Sequence, residues 1–322
     1  MTAFRALQVQ QTEVFFTEGS PALKERRAWL AQYSLARARE RVASQARAKA
    51  EVPWADEAAR RESVLKSAAQ LSNDASEVAD ERPVACCAFT ADGSHVVTGG
   101  WSGAVKVWSV ANCQKVLTIK AHEERITGLD TNPNATMAST SGPAIATAAA
   151  DRTARLWTAD GRLLGALEGH EDRLGRVVFH PSGALLATAS FDQTWRLWDL
   201  ERAVPLLAAG NPAAARDVGC LCEQEGHSRS VYSVAFQGDG ALLASGGLDA
   251  IGRVWDLRTG RSIVTLEGHT KPILALDFSP DGYHLVTGSE DNTCQARPSL
   301  PDPDVRPSLP FEHAPSRAPS HV

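Results

Sequence analysis

No run of about 18 apolar residues occurs in this 322-residue chain, so no membrane-spanning helix is expected. No secretory leader is expected either, because Thr2–Val14 is polar and broken by Arg5 and several Gln. A reducing compartment and free thiols follow for the six cysteines, Cys86, Cys87, Cys113, Cys220, Cys222 and Cys294. Cys220-x-Cys222 lacks a second Cys or His pair at ligand spacing, so no metal is expected. There is no Gly-rich phosphate loop: Gly99-Gly100 and Gly246-Gly247 end apolar runs instead, and no cofactor is implied. An excess of positive charge is missing too. The formal net charge of −5 excludes a molecule that is a basic nucleic-acid binder over its whole surface.

What the chain does have is a repeat. Gly226–His269 opens with Gly-His, passes Trp255-Asp256 and closes on Gly268-His269. Its apolar runs read as strands at Ser230–Phe236, Ala241–Gly247, Gly252–Leu257 and Arg261–Leu266, with turn residues between them. Four strands per roughly 40 residues, marked by Gly-His and Trp-Asp, form a β-propeller blade of the WD-repeat type. His227 and His170 each lie 28 residues before a Trp, at Trp255 and Trp198. His122 precedes Trp157 by 35, which implies about seven extra residues, and the unit ending at Trp108 has no Gly-His. Asp151, Asp192 and Asp249 each stand six residues before the Trp, and Asp291 stands six before Arg297, where a Trp is expected.

The predicted fold is therefore all-β, an incomplete WD-repeat β-propeller of four full blades and part of a fifth over residues 83–297. An α-helical region at 1–82 precedes it, and a Pro-rich tail, 298–322, is read as disordered, the composition changing after Cys294. Insertions at 132–143 and 208–223 are expected to be surface loops, the second carrying Cys220 and Cys222.

His170, Ser190, Asp192 and Trp198 invite comparison with a nucleophile triad. Their order in one blade argues for a structural network instead, and its copies are His122, Asp151 and Trp157, then His227, Asp249 and Trp255, then His269, Ser289 and Asp291. Ala149 and Gly247 stand in the Ser190 position of two copies, as a catalytic device would not allow. No site argues for an enzyme.

In the N-terminal region Ser20-Pro21 reads as a helix start, and the Ala- and Arg-rich stretch from Ala22 to about Ala50 as a helix. Lys24, Arg26, Arg27, Arg37, Arg39, Arg41, Arg47 and Lys49 face only Glu25 and Glu40 in it. Composition leaves two readings open, contact with RNA phosphates or an ordinary solvated helix. A second helix is read at Ala55–Leu71, then an acidic linker at Asn73–Arg82.

GLDAIGRVWDLRTGR (Gly247–Arg261), FHPSGALLATASFDQTWRLWDLE (Phe179–Glu201) and FSPDGYHLVTGSEDNTC (Phe278–Cys294) resemble the WD-repeat subunit of the U4/U6 small nuclear ribonucleoprotein, the pre-mRNA processing factor 4 family. EVFFTEGSPALKERRAWL (Glu13–Leu30) resembles the splicing-factor motif that this family carries ahead of its propeller. The resemblance implies a nuclear, non-enzymatic assembly subunit of U4/U6 and U4/U6·U5 particles. It would bind U4/U6 snRNA, a second U4/U6 processing factor, a spliceosomal cyclophilin and other tri-snRNP proteins. Carried onto this chain, Phe15, Phe16, Glu18, Arg26 and Arg27 become the partner motif, and Arg37, Arg39 and Arg41 become RNA or protein contacts. The family's propeller has seven blades, so the resemblance also implies a chain truncated at its C-terminal side. The alternative is a generic WD-repeat adaptor, for instance in ubiquitin ligation.

Overall fold

The computed structural model describes residues 19–51, 54–72, 75–137 and 142–299. Two helices lead, α1 (Pro21–Glu51) and α2 (Trp54–Ala69). Ser20 caps α1, its Oγ accepting the Leu23 amide at 3.2 Å. Five antiparallel sheets follow. Blade 1 holds β1 (Val84–Phe89), β2 (His95–Gly100), β3 (Ala104–Ser109) and β4 (Lys115–Lys120). Blade 2 holds β5 (Ile126–Thr131), β6 (Ile145–Ala149), β7 (Ala154–Trp157) and β8 (Leu163–Leu167). Blade 3 holds β9 (Leu174–Phe179), β10 (Leu185–Ser190) and β11 (Trp195–Asp199), then α3 (Leu200–Ala208) and α4 (Pro212–Gly219), then β12 (Cys220–Gln224). Blade 4 holds β13 (Val231–Phe236), β14 (Leu242–Gly247), β15 (Gly252–Asp256) and β16 (Arg261–Leu266). Blade 5 has three strands, β17 (Ile273–Phe278), β18 (His284–Ser289) and β19 (Cys294–Pro298).

The inner strands β1, β5, β9, β13 and β17 succeed one another around a central cleft of about 490 Å³, but the five sheets do not close into a ring. Inner strands approach closely enough that side chains are excluded: a Cβ on Gly175 would lie 2.6 Å from the Tyr232 carbonyl oxygen. Between blades the apolar faces interdigitate. Phe179, Leu186 and Trp198 of blade 3 share a core with Ala146, Ala148 and Leu156 of blade 2. Trp195 meets Trp255 of blade 4 edge to face, ring centroids 5.7 Å apart.

Three expectations need correcting. The 208–223 insertion is not a loop. Asp199 caps α3 and Asn211 caps α4, and Leu207 and Ala215 bury against blade 2, so the insertion continues from α3 into a second packed helix and then β12. Cys220 and Cys222 lie in β12, paired with Trp198 and Leu197, and burial pushes the Cys222 thiol up to about 12. The chain also continues as strand past Cys294. His284–Gly288 pairs with Cys294–Pro298, and Pro298 sits on the outer edge of the three-stranded sheet. The tail beyond Ser299 lies outside the described residues.

Candidate functional site

The repeated His, Asp and Trp converge in each blade, but not on the serine expected. In blade 3 Asp192 lies 2.7 Å from His170 Nδ1, and the far ring nitrogen lies 2.7 Å from Thr188 Oγ1. The Trp198 indole N–H donates to the same oxygen at 3.0 Å. Blade 2 repeats this with His122, Asp151, Thr147 and Trp157, and blade 4 with His227, Asp249, Ser245 and Trp255. Blade 5 keeps His269, Asp291 and Thr287. In place of the indole, its Arg297 donates to the Glu267 carbonyl oxygen at 2.9 Å.

Ser190 and Ser289 do other work. Ser190 donates to the Asp172 and Arg173 carbonyl oxygens and accepts the Asp192 amide, tying the turn to the loop that enters the blade. Ser289 does the same with Lys271 and Asp291. That tie is dispensable, which is why Ala149 and Gly247 can replace it. The bridging hydroxyl is present in every copy. It stands ten residues before the Trp position, at Thr98, Thr147, Thr188, Ser245 and Thr287.

A hydroxyl, an imidazole and a carboxylate in series have the order of a catalytic triad. Here the hydroxyl is fully buried in blades 2, 3 and 4, and its oxygen is occupied by the Trp donor. It has no path to a substrate and so no nucleophilic role. Burial pushes the His170 imidazole down, with Asp192 pulling partly back. For Asp192, burial is outweighed by His170 and by the Thr194 hydroxyl and amide, which hold the carboxyl well below its ordinary range. The network is a hydrogen-bond chain that fixes the turn after the second strand onto the third.

Blade 1 uses a different pair. Asp80 stands 28 residues before Trp108, in the His position, and Ser102 stands in the Asp position. The Ser102 hydroxyl donates to Asp80 at 2.6 Å, and Trp108 still donates to Thr98 at 3.0 Å. The acidic stretch read as a linker therefore ends as part of the first blade.

The basic helix is the second candidate, and α1 does not stand free. It lies across blades 3, 4 and 5, about 46 Å long at 1.5 Å per residue. Leu23 and Leu30 are buried in the core shared by blades 3 and 4. Arg26 grips the buried Asp199 at 2.6 and 3.0 Å and also pairs with Glu201. Trp29 and Tyr33 stack on each other at 5.2 Å and cover the buried His180, which in turn meets Phe236. Arg37 donates to the Gly238 carbonyl oxygen and lies over the Tyr33 ring. Arg41 pairs with Asp239 at 2.7 Å, donates to the Asp281 carbonyl oxygen at 2.7 Å and covers Tyr283. Gly240, at φ +80°, lets this contact form, since a Cβ there would lie 2.4 Å from His180 Nε2.

The candidate arginines thus separate. Arg26, Arg37 and Arg41 make contacts to the chain's own blades, with Arg37 still exposed. Arg27 packs beside Gly260 of the β15–β16 turn. Arg39 is exposed, as are Lys24 and Arg47. Phe15, Phe16 and Glu18 lie outside the described residues. Among the described residues no cluster of His, Cys, Asp or Glu could hold a metal ion, and no helix is long and apolar enough to cross a membrane.

Comparison with known proteins agrees with this geometry. The chain is 41% identical over 170 residues to an uncharacterised WD repeat-containing protein of Schizosaccharomyces pombe, covering 52% of this chain and 37% of that one. It is 45% identical over 156 residues to the U4/U6 small nuclear ribonucleoprotein PRP4-like protein of Arabidopsis thaliana, covering 48% of this chain and 27% of that one. It is 41% identical over 130 residues to the U4/U6 small nuclear ribonucleoprotein Prp4 of Homo sapiens, covering 40% and 24%. The matches span between about a quarter and just over a third of these relatives' own length. The description "WD domain, G-beta repeat" matches residues 77–109, 113–158, 161–199, 218–256 and 260–295, more than half of the chain, which therefore belongs to the WD-repeat family.

Proposed function

We propose that this chain is a non-enzymatic assembly subunit in pre-mRNA splicing, acting in the nucleus within a U4/U6-type ribonucleoprotein. The observation that carries this reading is the 45% and 41% identity to proteins named as U4/U6 small nuclear ribonucleoprotein subunits. The buried blade networks support a scaffold role, because they hold turns in place and offer no reacting group. In this reading the partners are U4/U6 snRNA, a second U4/U6 processing factor, a spliceosomal cyclophilin and other tri-snRNP proteins. Phe15, Phe16 and Glu18, with Arg27, are assigned to the protein-partner motif. RNA contact on α1 is assigned to Arg37, Arg39 and Arg41, of which Arg39 and Arg37 are exposed and Arg41 also pairs with Asp239.

The test is recovery of the native protein from nuclear extract, with sequencing of the RNA crosslinked to it. Enrichment of U4 and U6 RNA is expected, reduced by Arg39→Glu. Protein partners without either RNA would overturn the reading and leave a generic WD-repeat adaptor.

A further inference from the structure

The two ends of the inner strands are furnished differently. α1 crosses the end where they finish, through Asp239 in the β13–β14 turn and Asp281 in the β17–β18 turn. At the opposite end, where the inner strands begin, each blade places one cation in the last two positions before its strand: Arg82, Arg125, Arg173, Arg229 and Lys271. Carboxylates of the same entry segments, Glu123, Glu124, Glu171 and Asp172, come earlier in the chain, nearer the outer strands. Among the described residues Arg125, Arg173 and Arg229 make no ion pair, whereas Arg155, Arg196, Arg202 and Arg258 do.

Aromatic rings stand between these cations. Trp101, in the β2–β3 turn, is 42% exposed, and the Arg125 guanidinium carbon lies over it, 5.5 Å from the ring centre. Arg173 lies over Phe191 of the β10–β11 turn at 3.9 Å. Tyr232, 37% exposed near the start of β13, meets Phe191 edge to face. Backbone groups hold the set in place. The Phe191 amide donates to the Arg173 carbonyl oxygen at 2.9 Å, and the Ser230 hydroxyl donates to the Phe191 carbonyl oxygen at 3.1 Å. The turn position of Trp101 and Phe191 is filled by Ala150, Leu248 and Glu290 in the other blades, so a blade needs no ring there to fold. The rings sit at the junction of blades 1 and 2 and at the junction of blades 3 and 4, with both blades of each junction in place.

Unpaired cations held against exposed rings suit a ligand that carries negative charge and flat aromatic faces. Bases stack on aromatic rings and on guanidinium planes, and phosphates answer the arginines. An acidic peptide would meet the charge and leave the rings unused, and a duplex would keep its base faces hidden. We propose that this end of the blades binds an unpaired RNA strand, with bases stacking at Trp101 and at the Phe191–Tyr232 pair and phosphates meeting Arg125, Arg173 and Arg229. The choice of RNA over DNA rests on the splicing reading. The site itself is separate from α1 and uses none of the contacts assigned there.

Fluorescence anisotropy of the purified 322-residue chain with a short labelled RNA oligonucleotide of arbitrary sequence tests this. Tyr232→Ala and Trp101→Ala are each expected to weaken binding about tenfold. Tyr232→Phe keeps the ring and is expected to bind as the wild-type chain does. Arg173→Gln and Arg229→Gln are each expected to lower the slope of log affinity against log salt by about 0.7. Arg162→Gln, at the other end of blade 2, is expected to change neither quantity. Photocrosslinking is expected to mark the segments that carry Trp101, Phe191 and Tyr232. Crosslinks confined to α1 overturn the proposal, as does an affinity that neither alanine variant moves. A duplex bound as tightly as the single strand, or polyglutamate that competes equally well, also overturns it. Equal binding of the same strand as DNA overturns the assignment to RNA. The assay needs no nuclear extract, so failure to recover U4 and U6 RNA there would leave this site standing, and failure here would leave that recovery untouched. Circular dichroism melts of each variant separate lost binding from lost fold.

Discussion

Thr188 answers two neighbours at once. Its oxygen accepts the Trp198 indole N–H and its hydroxyl meets His170, and Thr188 is fully buried. Thr188→Val keeps the shape and removes both hydrogen bonds, leaving two buried polar groups unpaired. The expected cost is about 3 kcal/mol, read as a lower urea midpoint, and Thr188→Ser should recover most of it. The same change at Thr287 should cost less, because Arg297 supplies no indole there. This hydroxyl was legible in the sequence as a recurrence ten residues before each Trp position. It was passed over because Ser190, beside Asp192, looks more like a nucleophile, and only burial distinguishes a hydroxyl that bridges from one that ties a turn. Asp80 was hidden for a related reason: in blade 1 an acid stands in the His position and a hydroxyl in the Asp position, so a search for the His finds nothing.

At the scale of elements, α1 is a strap held by charge at two points and by aromatic stacking between them. Arg26→Ala leaves the buried Asp199 with Arg202 at 3.2 Å as its remaining cation. A loss of about 2 kcal/mol is expected, seen as faster amide hydrogen exchange through α1, while Arg39→Ala should leave exchange unchanged. Acid should loosen the strap as well. Burial, countered by the Gly240 carbonyl and reinforced by Arg37, pushes His180 down to about 4 from its ordinary 6.5. A folded value below the unfolded one means that the stabilisation is fully present above pH 6.5 and is lost as pH falls through 4. It amounts to about 3 kcal/mol. Asp130 works in the opposite sense: burial raises it to about 6, so acidification between 6 and its ordinary 3.8 favours the folded state. The His180 contribution is therefore read as a difference, with melting temperature against pH expected to be flatter in His180→Gln than in the wild-type chain. The helix itself was plain in the sequence, from its Ser20-Pro21 start and its lack of Gly and Pro. Its docking was not, because the groups its arginines grip lie 173–240 residues away and no local pattern announces them.

At the scale of the whole molecule, blade number and order were readable because the Gly-His, Asp and Trp spacings survive even where one member is lost. The third strand of blade 5 was not. A Pro-rich composition argues against strand, yet β19 needs only backbone pairing to β18 along one side, and Pro298 stands at its last pairing position. The helical pair in blade 3 was missed because two short helices carry too few turns to show a period.

The strap has a consequence in time. α1 leaves the ribosome before the blades, and Asp199, Asp239 and Asp281, which it grips, follow it by 173, 198 and 240 residues. At roughly 5–20 residues per second, that is a delay of about 10–50 s before the last of them is made. Until blades 3 and 4 are made, Leu23, Trp29, Leu30 and Tyr33 lack the partners on which they settle. The helix is made before the blades that seat it, and the nascent chain carries an unshielded apolar stripe until blades 3 and 4 have emerged.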